Sequence, residues 1–140
     1  MATVAPRRVV VTVGMGRWPF DRLIAALDPV CDRHEVFAQI GTSEVRPDCE
    51  HARFVSPDEL ERRIRDADVV VTHAGNTVRL VQRLGRVPIA VARVPEFGEM
   101  GNDHQARSLV PEHQRGPVVV GDLTRLADQI DEHADVERAL

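Results

Sequence analysis

Three short segments hold the residue types that could do chemistry. They are Gly14-Met15-Gly16, then Thr72-His73-Ala74-Gly75-Asn76-Thr77, and finally Gly98-Glu99-Met100-Gly101-Asn102-Asp103-His104-Gln105. Glycine lets a backbone approach a phosphate closely, so Gly14, Met15 and Gly16 read as a phosphate-facing turn as readily as an ordinary tight turn. In the second segment Gly75 permits a sharp turn, and Asn76 or Thr77 could cap a helix whose free N–H groups face an anion. Arg79 would add a fixed positive charge on the first helical turn. The plain alternative is that His73 ends a strand and Asn76 only caps. In the third segment Asn102, Asp103, His104 and Gln105 offer donors and acceptors together, as binding loops do. His104 is the one base-like candidate, and a weak one; the plain alternative is capping by Asn102 or Asp103. No spacing supports a metal site from His73, Asp103 and His104, so none is expected. No nucleophile–base pair can be read, and Cys31 and Cys49 lie away from all three segments.

The elements that must position these segments follow from hydrophobic pattern. Val9 to Gly14 is a β-branched run ended by glycine, read as a buried strand. Phe20 to Asp32 places Leu23, Ile24 and Leu27 at helical spacing. Glu35 to Gly41 and Ala52 to Val55 read as strands, with a loop from Thr42 to His51 between them. Ser56-Pro57-Asp58-Glu59 is a capping box with proline at the first helical position, opening a helix through Leu60, Ile64 and Ala67. Asp68 to His73 is a fourth strand, Asn76 to Leu84 a helix closed by Gly85, and Pro88 to Val94 a fifth strand. A helix is expected from about Asp103 to Pro111, and Val118 to Gly121 is a sixth strand. Asp122 caps a last, acidic, amphipathic helix through Leu126, Ile130 and Val136. Alternating strands and helices imply one parallel sheet covered on both faces, a single α/β domain over residues 1–140. The three segments then share the carboxyl edge of that sheet, where ligands bind in open α/β folds.

Composition removes several classes of function. The 140 residues carry a net charge of −4 and are 43% hydrophobic, which argues against disorder and against a basic nucleic-acid module. All 18 basic residues are arginine, so the phosphate-loop lysine, Schiff-base lysines and lysine bases are excluded. The two cysteines fit neither metal-ligand spacing nor a disulfide framework, and a reduced, cytoplasmic protein is the expectation. No apolar run reaches the ~20 residues that span a bilayer, and Met1 to Arg8 lacks a signal-peptide core. A dinucleotide fingerprint would need glycine where Pro19 stands and an acid at the end of the second strand, whereas Glu35 begins that strand.

Several blocks with matched spacing then resemble one family. Val11-Thr12-Val13-Gly14 with Pro19-Phe20-Asp21-Arg22-Leu23-Ile24, Glu35 to Gly41, Phe54 to Leu60, Ala67 to Gly75, Gly98-Glu99 and Asn102 to Gln105 resemble the C-terminal domains of glycosyltransferase family 28. The resemblance runs from about Val9 to Asp128. It is strongest to small stand-alone subunits of two-subunit N-acetylglucosamine transferases and bacterial exopolysaccharide glycosyltransferases. It implies the C-terminal half of a GT-B enzyme: a single Rossmann-like parallel sheet with helices on both faces. That half binds a nucleotide-sugar donor, typically UDP-activated, carrying N-acetylglucosamine or another hexose. Transfer to a lipid-linked or other glycosyl acceptor is inverting and needs no essential metal and no cofactor beyond the donor. A separate membrane-associated subunit supplies the acceptor domain and the catalytic base, and could recruit this chain to the inner face of the membrane. The carry-over assigns the glycine turn to Gly14, the donor loop to His73, Gly75, Asn76 and Thr77, and the sugar or diphosphate loop to Asp103, His104 and Gln105.

Two departures from the family pattern stand out. Asn76-Thr77 follows His73-Ala74-Gly75 directly, one residue short of the usual run. The glutamate that holds the donor ribose one turn on is replaced by Leu80 or Val81, leaving Gln82 or Arg79 as substitutes. A second hypothesis is therefore a non-catalytic binding subunit that has lost a competent donor site. Trp18 and Phe20 read either as a hydrophobic staple onto the core or as a patch for a partner or membrane interface. The last helix covers the sheet, with homodimer contact as an alternative.

Overall fold

The computed structural model describes residues 5–14, 16–93 and 116–139. Six parallel strands form one sheet in the order β3-β2-β1-β4-β5-β6. They are β1 (Arg8–Thr12), β2 (Glu35–Gln39), β3 (Glu50–Ala52), β4 (Val69–His73), β5 (Ile89–Val91) and β6 (Val119–Val120). The helices are α1 (Asp21–Ala25), α2 (Asp28–Arg33), α3 (Pro57–Asp66), α4 (Asn76–Arg83) and α5 (Leu126–Ala139), the last entered through a 3-10 turn over Leu123–Arg125. This is the α/β Rossmann-like sheet that the alternating pattern implies.

The alternation of side chains along each strand feeds two cores. Val9, Val11, Val36, Ala38, Val69 and Val71 join Leu23, Ile24, Leu27, Leu126 and Ile130 on the face covered by α1, α2 and α5. Val10 and Val70 face the other way and pack with Leu60, Ile64 and Val81 of α3 and α4. Each fully buried aliphatic side chain stabilises the fold by about 1.5–3 kcal/mol through removal of apolar surface from water. Both faces of the central strands are dry, which explains why their sequences are continuous apolar runs.

Local chemistry sets the boundaries. The Ser56 side chain accepts the Glu59 N–H at 3.1 Å, which starts α3 as the sequence predicts. Asp122 accepts the Thr124 N–H and caps the turn into α5. Leu84 ends α4, and Gly85 takes φ +80°, where a side chain is strained.

Three expected elements differ. The single helix over Phe20 to Asp32 is two short helices, because Pro29 has no N–H to donate and its ring crowds the carbonyl of Ala25. The third strand lies at Glu50–Ala52 rather than at 52–55. Its register sets Glu50 against Phe37 and Ala52 against Gln39, the last residue of β2. The fifth strand is shorter than Pro88 to Val94, and Arg93 beyond it turns its guanidinium inward. The helix expected from Asp103 to Pro111 lies outside the described residues. No helix among the described residues is long and apolar enough to cross a membrane.

Candidate functional site

Strands β1 and β4 are neighbours at the point where the strand order reverses, and their carboxyl ends open a crevice between outgoing loops. Gly14 leaves β1 with φ +82°. A Cβ there would sit 2.4 Å from Cε1 of His73, so the glycine is required both by its conformation and by the ring against it. A Cβ on Gly75 would sit 2.6 Å from Nε2 of the same ring. The imidazole at the end of β4 is therefore held by two glycines from two loops. Gly16 has nothing within 4 Å of an added Cβ, so no packing demands a glycine there.

His73 is mostly buried, and its Nδ1 has no hydrogen-bond partner. Burial, followed by the nearby Arg93 guanidinium, pushes its pKa down to about 4. The ring is neutral at pH 7. A folded pKa below the unfolded value means that the unfolded chain takes the proton first. Stability is thus fully present above about pH 6.5 and falls as pH drops from there towards 4, by about 3 kcal/mol for His73 alone. His133, buried in α5 and also shifted down, chiefly by burial, acts in the same direction. Urea titrations from pH 8 to 4 should show this slope, and His73→Gln should flatten it.

The second loop opens α4. Neither Asn76 nor Thr77 caps this helix: the N-cap is Gly75, in extended conformation, and no side chain bonds the first turn. Asn76 is instead the first helical residue. The first turn carries no acidic residue, and among the described residues no side chain bonds its N–H groups. Arg79 lies one turn along, on the exposed side of the helix. Leu80 packs against the α3–α4 core and Val81 is fully buried in it.

Two residues that the sequence reading passed over hold the glycine loop in place. Gln39, fully buried at the end of β2, donates through Nε2 to the carbonyls of Gly14 at 2.9 Å and Arg53 at 2.7 Å. Its Oε1 accepts the Thr12 hydroxyl at 2.5 Å. Arg93, 4% exposed, donates to the carbonyls of Val13, Trp18 and Pro19 at 2.6, 2.8 and 3.0 Å. Its guanidinium also lies 4.9 Å from the centre of the Phe20 ring. The only signals in sequence were a glutamine ending an apolar strand and an arginine ending the run Ile89-Ala90-Val91-Ala92.

The segment after β2 braces the same loop. Phe20 donates its N–H to the Ser43 hydroxyl at 2.9 Å, and Thr42 donates its hydroxyl to the Arg17 carbonyl at 2.9 Å. The two aromatics beside the glycine loop have separate fates. Phe20 is fully buried, as a staple onto the core would be, whereas Trp18 is 38% exposed with Arg17 stacked over it.

The structure thus brings Gly14, His73, Gly75, Asn76 and Thr77 to one crevice, with Gly16 and Arg79 on its margin. Met15, Asp103, His104 and Gln105 lie outside the described residues. Glu35 sits at the opposite edge, 3.8 Å from Arg8, so the acid of a dinucleotide site is absent and Gln39 occupies the end of β2. A cavity of about 170 Å³ also opens at that far edge, lined by Arg8, Glu35, Phe37 and Arg63. It meets the C-terminal end of α3 at Asp66 and Ala67 rather than the N-terminus of a helix. No group of three or more metal-ligating side chains occurs among the described residues. The chemistry this edge supports is recognition of an anion by backbone amides beside a neutral imidazole and a buried guanidinium.

No protein-family model matches the sequence, and no curated protein does. Among solved structures, the chain is similar to CalG4, the calicheamicin glycosyltransferase, with a TM-score of 0.54 and 18% identity. The match covers 96% of this chain and 37% of that one, so the chain spans little more than a third of its neighbour's length. The likeness establishes the fold.

Proposed function

We propose that this chain is the donor-binding half of an inverting glycosyltransferase. It would hold a UDP-type nucleotide sugar, carrying N-acetylglucosamine or another hexose, at the β1–β4 crevice. A separate subunit, associated with the membrane, would supply the acceptor domain and the catalytic base. The observation that carries the proposal is the uncapped N-terminus of α4, set against Gly14 and His73 on a glycosyltransferase-like fold. Backbone amides there suit a diphosphate, since the helix dipole and free N–H groups both favour negative charge. The neutral His73 can offer or accept a hydrogen bond without competing as a counter-ion. Resemblance to glycosyltransferase family 28 in the His73–Gly75 segment supports the same reading.

In this reading the described residues bind and orient the donor rather than move a proton, and the chain alone transfers sugar slowly. His104, Asp103 and Gln105 would contribute from the segment that follows β5 in sequence. Calorimetric titration with UDP, TDP and their N-acetylglucosamine and glucose conjugates tests it. One nucleotide should bind saturably at micromolar to low-millimolar Kd. No binding by any of them, with the chain folded, would favour a subunit that binds only its partner, in line with Leu80 and Val81 standing in the core where an acid is expected.

A further inference from the structure

His133 is buried in α5, 1% exposed, and neither of its ring nitrogens has a hydrogen-bond partner. A neutral imidazole without a bond is costly to bury, and a charged one far more so. The ring stands inside a clamp. Its Nε2 lies 3.9 Å from Oε1 of Glu137, one turn along the same helix. The Glu137 carboxylate accepts the Arg86 guanidinium at 3.2 and 3.4 Å and the Val87 N–H at 3.2 Å. Arg86 also donates to the carbonyls of Ala67 and Asp68, where the chain enters β4. These contacts tie the later turns of α5 to the turn after α4. Among the described residues, none of α5 beyond Ile130 joins the main core cluster. The earlier turns are held differently: Leu126 and Ile130 lie in that core, and Asp131 accepts from Arg33 at 2.7 Å and from Nε2 of His34 at 2.8 Å.

We propose that the His133–Glu137–Arg86 cluster is an acid-operated latch: in mild acid the His133 ring takes a proton and the turns of α5 from His133 onward detach, while the turns before it stay docked.

Charge balance sets the direction. The charged groups acting on the ring are Glu137 on its own helix, Arg86 from the turn after α4 and Arg7 ahead of β1. His34 and Asp131 bond each other, and Nδ1 of His34 accepts the Arg7 N–H. A proton on His133 sets three cations against the single carboxylate of Glu137. That carboxylate is already bonded to Arg86 and Val87, so it meets the new charge only by giving up one of them. Burial chiefly holds the ring below the ordinary histidine pKa; Glu137 opposes this, and the charges of Arg86 and Arg7 assist it. A depressed folded value means the neutral, latched form is fully present above the ordinary histidine range and is lost as pH falls below it. The charged ring needs water, and the turns outside the core are those that can lift to admit it.

The latch bears on the crevice from behind. Arg86 donates its N–H to the Val81 carbonyl of α4 at 3.1 Å, and its guanidinium holds the entry to β4. Release loosens the far ends of α4 and β4, the two elements whose near ends carry Asn76 and His73.

Hydrogen exchange read by mass spectrometry, with rates corrected for the intrinsic effect of pH, compares protection at pH 7.5 and pH 5.0. Protection over residues 133–139 should fall at least tenfold, and that of residues 126–131, β1 and β4 by clearly less. His133→Leu removes the titration and, because the ring makes no hydrogen bond, leaves no partner unsatisfied. Checked for native circular dichroism, this variant should keep equal protection over 133–139 at both pH values. Where the variant does not fold, the ring nitrogen resonances of His133 in the wild-type chain decide, and their titration should coincide with the loss of protection. Unchanged protection at pH 5.0, an equal loss in every element, a loss that persists in folded His133→Leu, or a ring that titrates apart from the loss would each overturn the proposal. The readouts do not involve nucleotide, so they stand or fall apart from the donor-binding reading.

Discussion

Gly14→Ala should cost about 3 kcal/mol of folding stability, one of the largest effects of a single methyl group in this protein. Two terms add. An alanine at φ +82° pays roughly 1–2 kcal/mol of backbone strain. The new Cβ would also lie 2.4 Å from Cε1 of His73, and the ring cannot retreat towards Gly75, whose own Cβ position lies 2.6 Å from Nε2. Either the ring leaves its place or the glycine loop moves, and both open the crevice. If a donor binds in the crevice as proposed, the variant should lose donor affinity as well as stability. The contact makes a separate prediction. In a His73→Ala background the steric term vanishes, and the cost of Gly14→Ala should shrink to the strain alone, about 1–2 kcal/mol. Urea denaturation of the four proteins in the cycle measures this. Equal costs in the two backgrounds would show that the ring does not police the glycine.

Arg93→Met should be costlier still, about 3–5 kcal/mol, because it removes the donor from the buried carbonyl of Val13 and the part-buried carbonyls of Trp18 and Pro19. Methionine fills much of the volume, so the loss reports hydrogen bonding and charge rather than a cavity. Two readouts separate this from general damage. Amide exchange should accelerate in the 16–20 segment, whose carbonyls at Trp18 and Pro19 lose their partner, more than in β1 or β4. The His73 pKa should move up from about 4, since the guanidinium beside it is one of the causes of its depression. Burial remains, so the ring should still titrate below an ordinary histidine. If donor binds at this edge, its affinity should fall at least tenfold, as the loop facing the phosphate loses its anchor. An unchanged His73 titration in a folded Arg93→Met protein would remove Arg93 from the site.

The sheet was legible because its strands announce themselves. Val9-Val10-Val11 and Val69-Val70-Val71 are buried on both faces, and only a parallel central strand makes such runs. Ser56 and Asp122 named their caps correctly, because capping is chemistry between residues a few positions apart. Gly14 was legible as a turn, and the structure adds that the imidazole behind it forbids anything larger. What failed was also physical. Pro29 broke a helix that periodicity alone joined. Ala52 to Val55 looked like a strand, but Arg53 sends its guanidinium to the carbonyls of Gly41 and Ser43 and Phe54 stays half-exposed. Asn76 is a good capping residue by type, yet Gly75 takes that position and Asn76 becomes the first helical residue.

Gln39 and Arg93 share one reason for having escaped notice. Their partners lie far along the chain: Gly14 is 25 positions from Gln39, and Trp18 is 75 positions from Arg93. No local pattern encodes such contacts. They arise because parallel strands bring distant segments to one edge, which is also why that edge can gather a binding site.

The proposed function places the diphosphate of a nucleotide sugar in the β1–β4 crevice. The most direct measurement is amide chemical-shift mapping of the isotope-labelled chain during titration with UDP and its N-acetylglucosamine conjugate. Saturable shifts should concentrate at Gly16, Gly75, Asn76, Thr77 and Val78, with the His73 ring resonances moving alongside. Saturable shifts centred instead on the cavity at the far edge, around Arg8, Phe37 and Arg63, would contradict it, as would a spectrum unmoved by millimolar nucleotide.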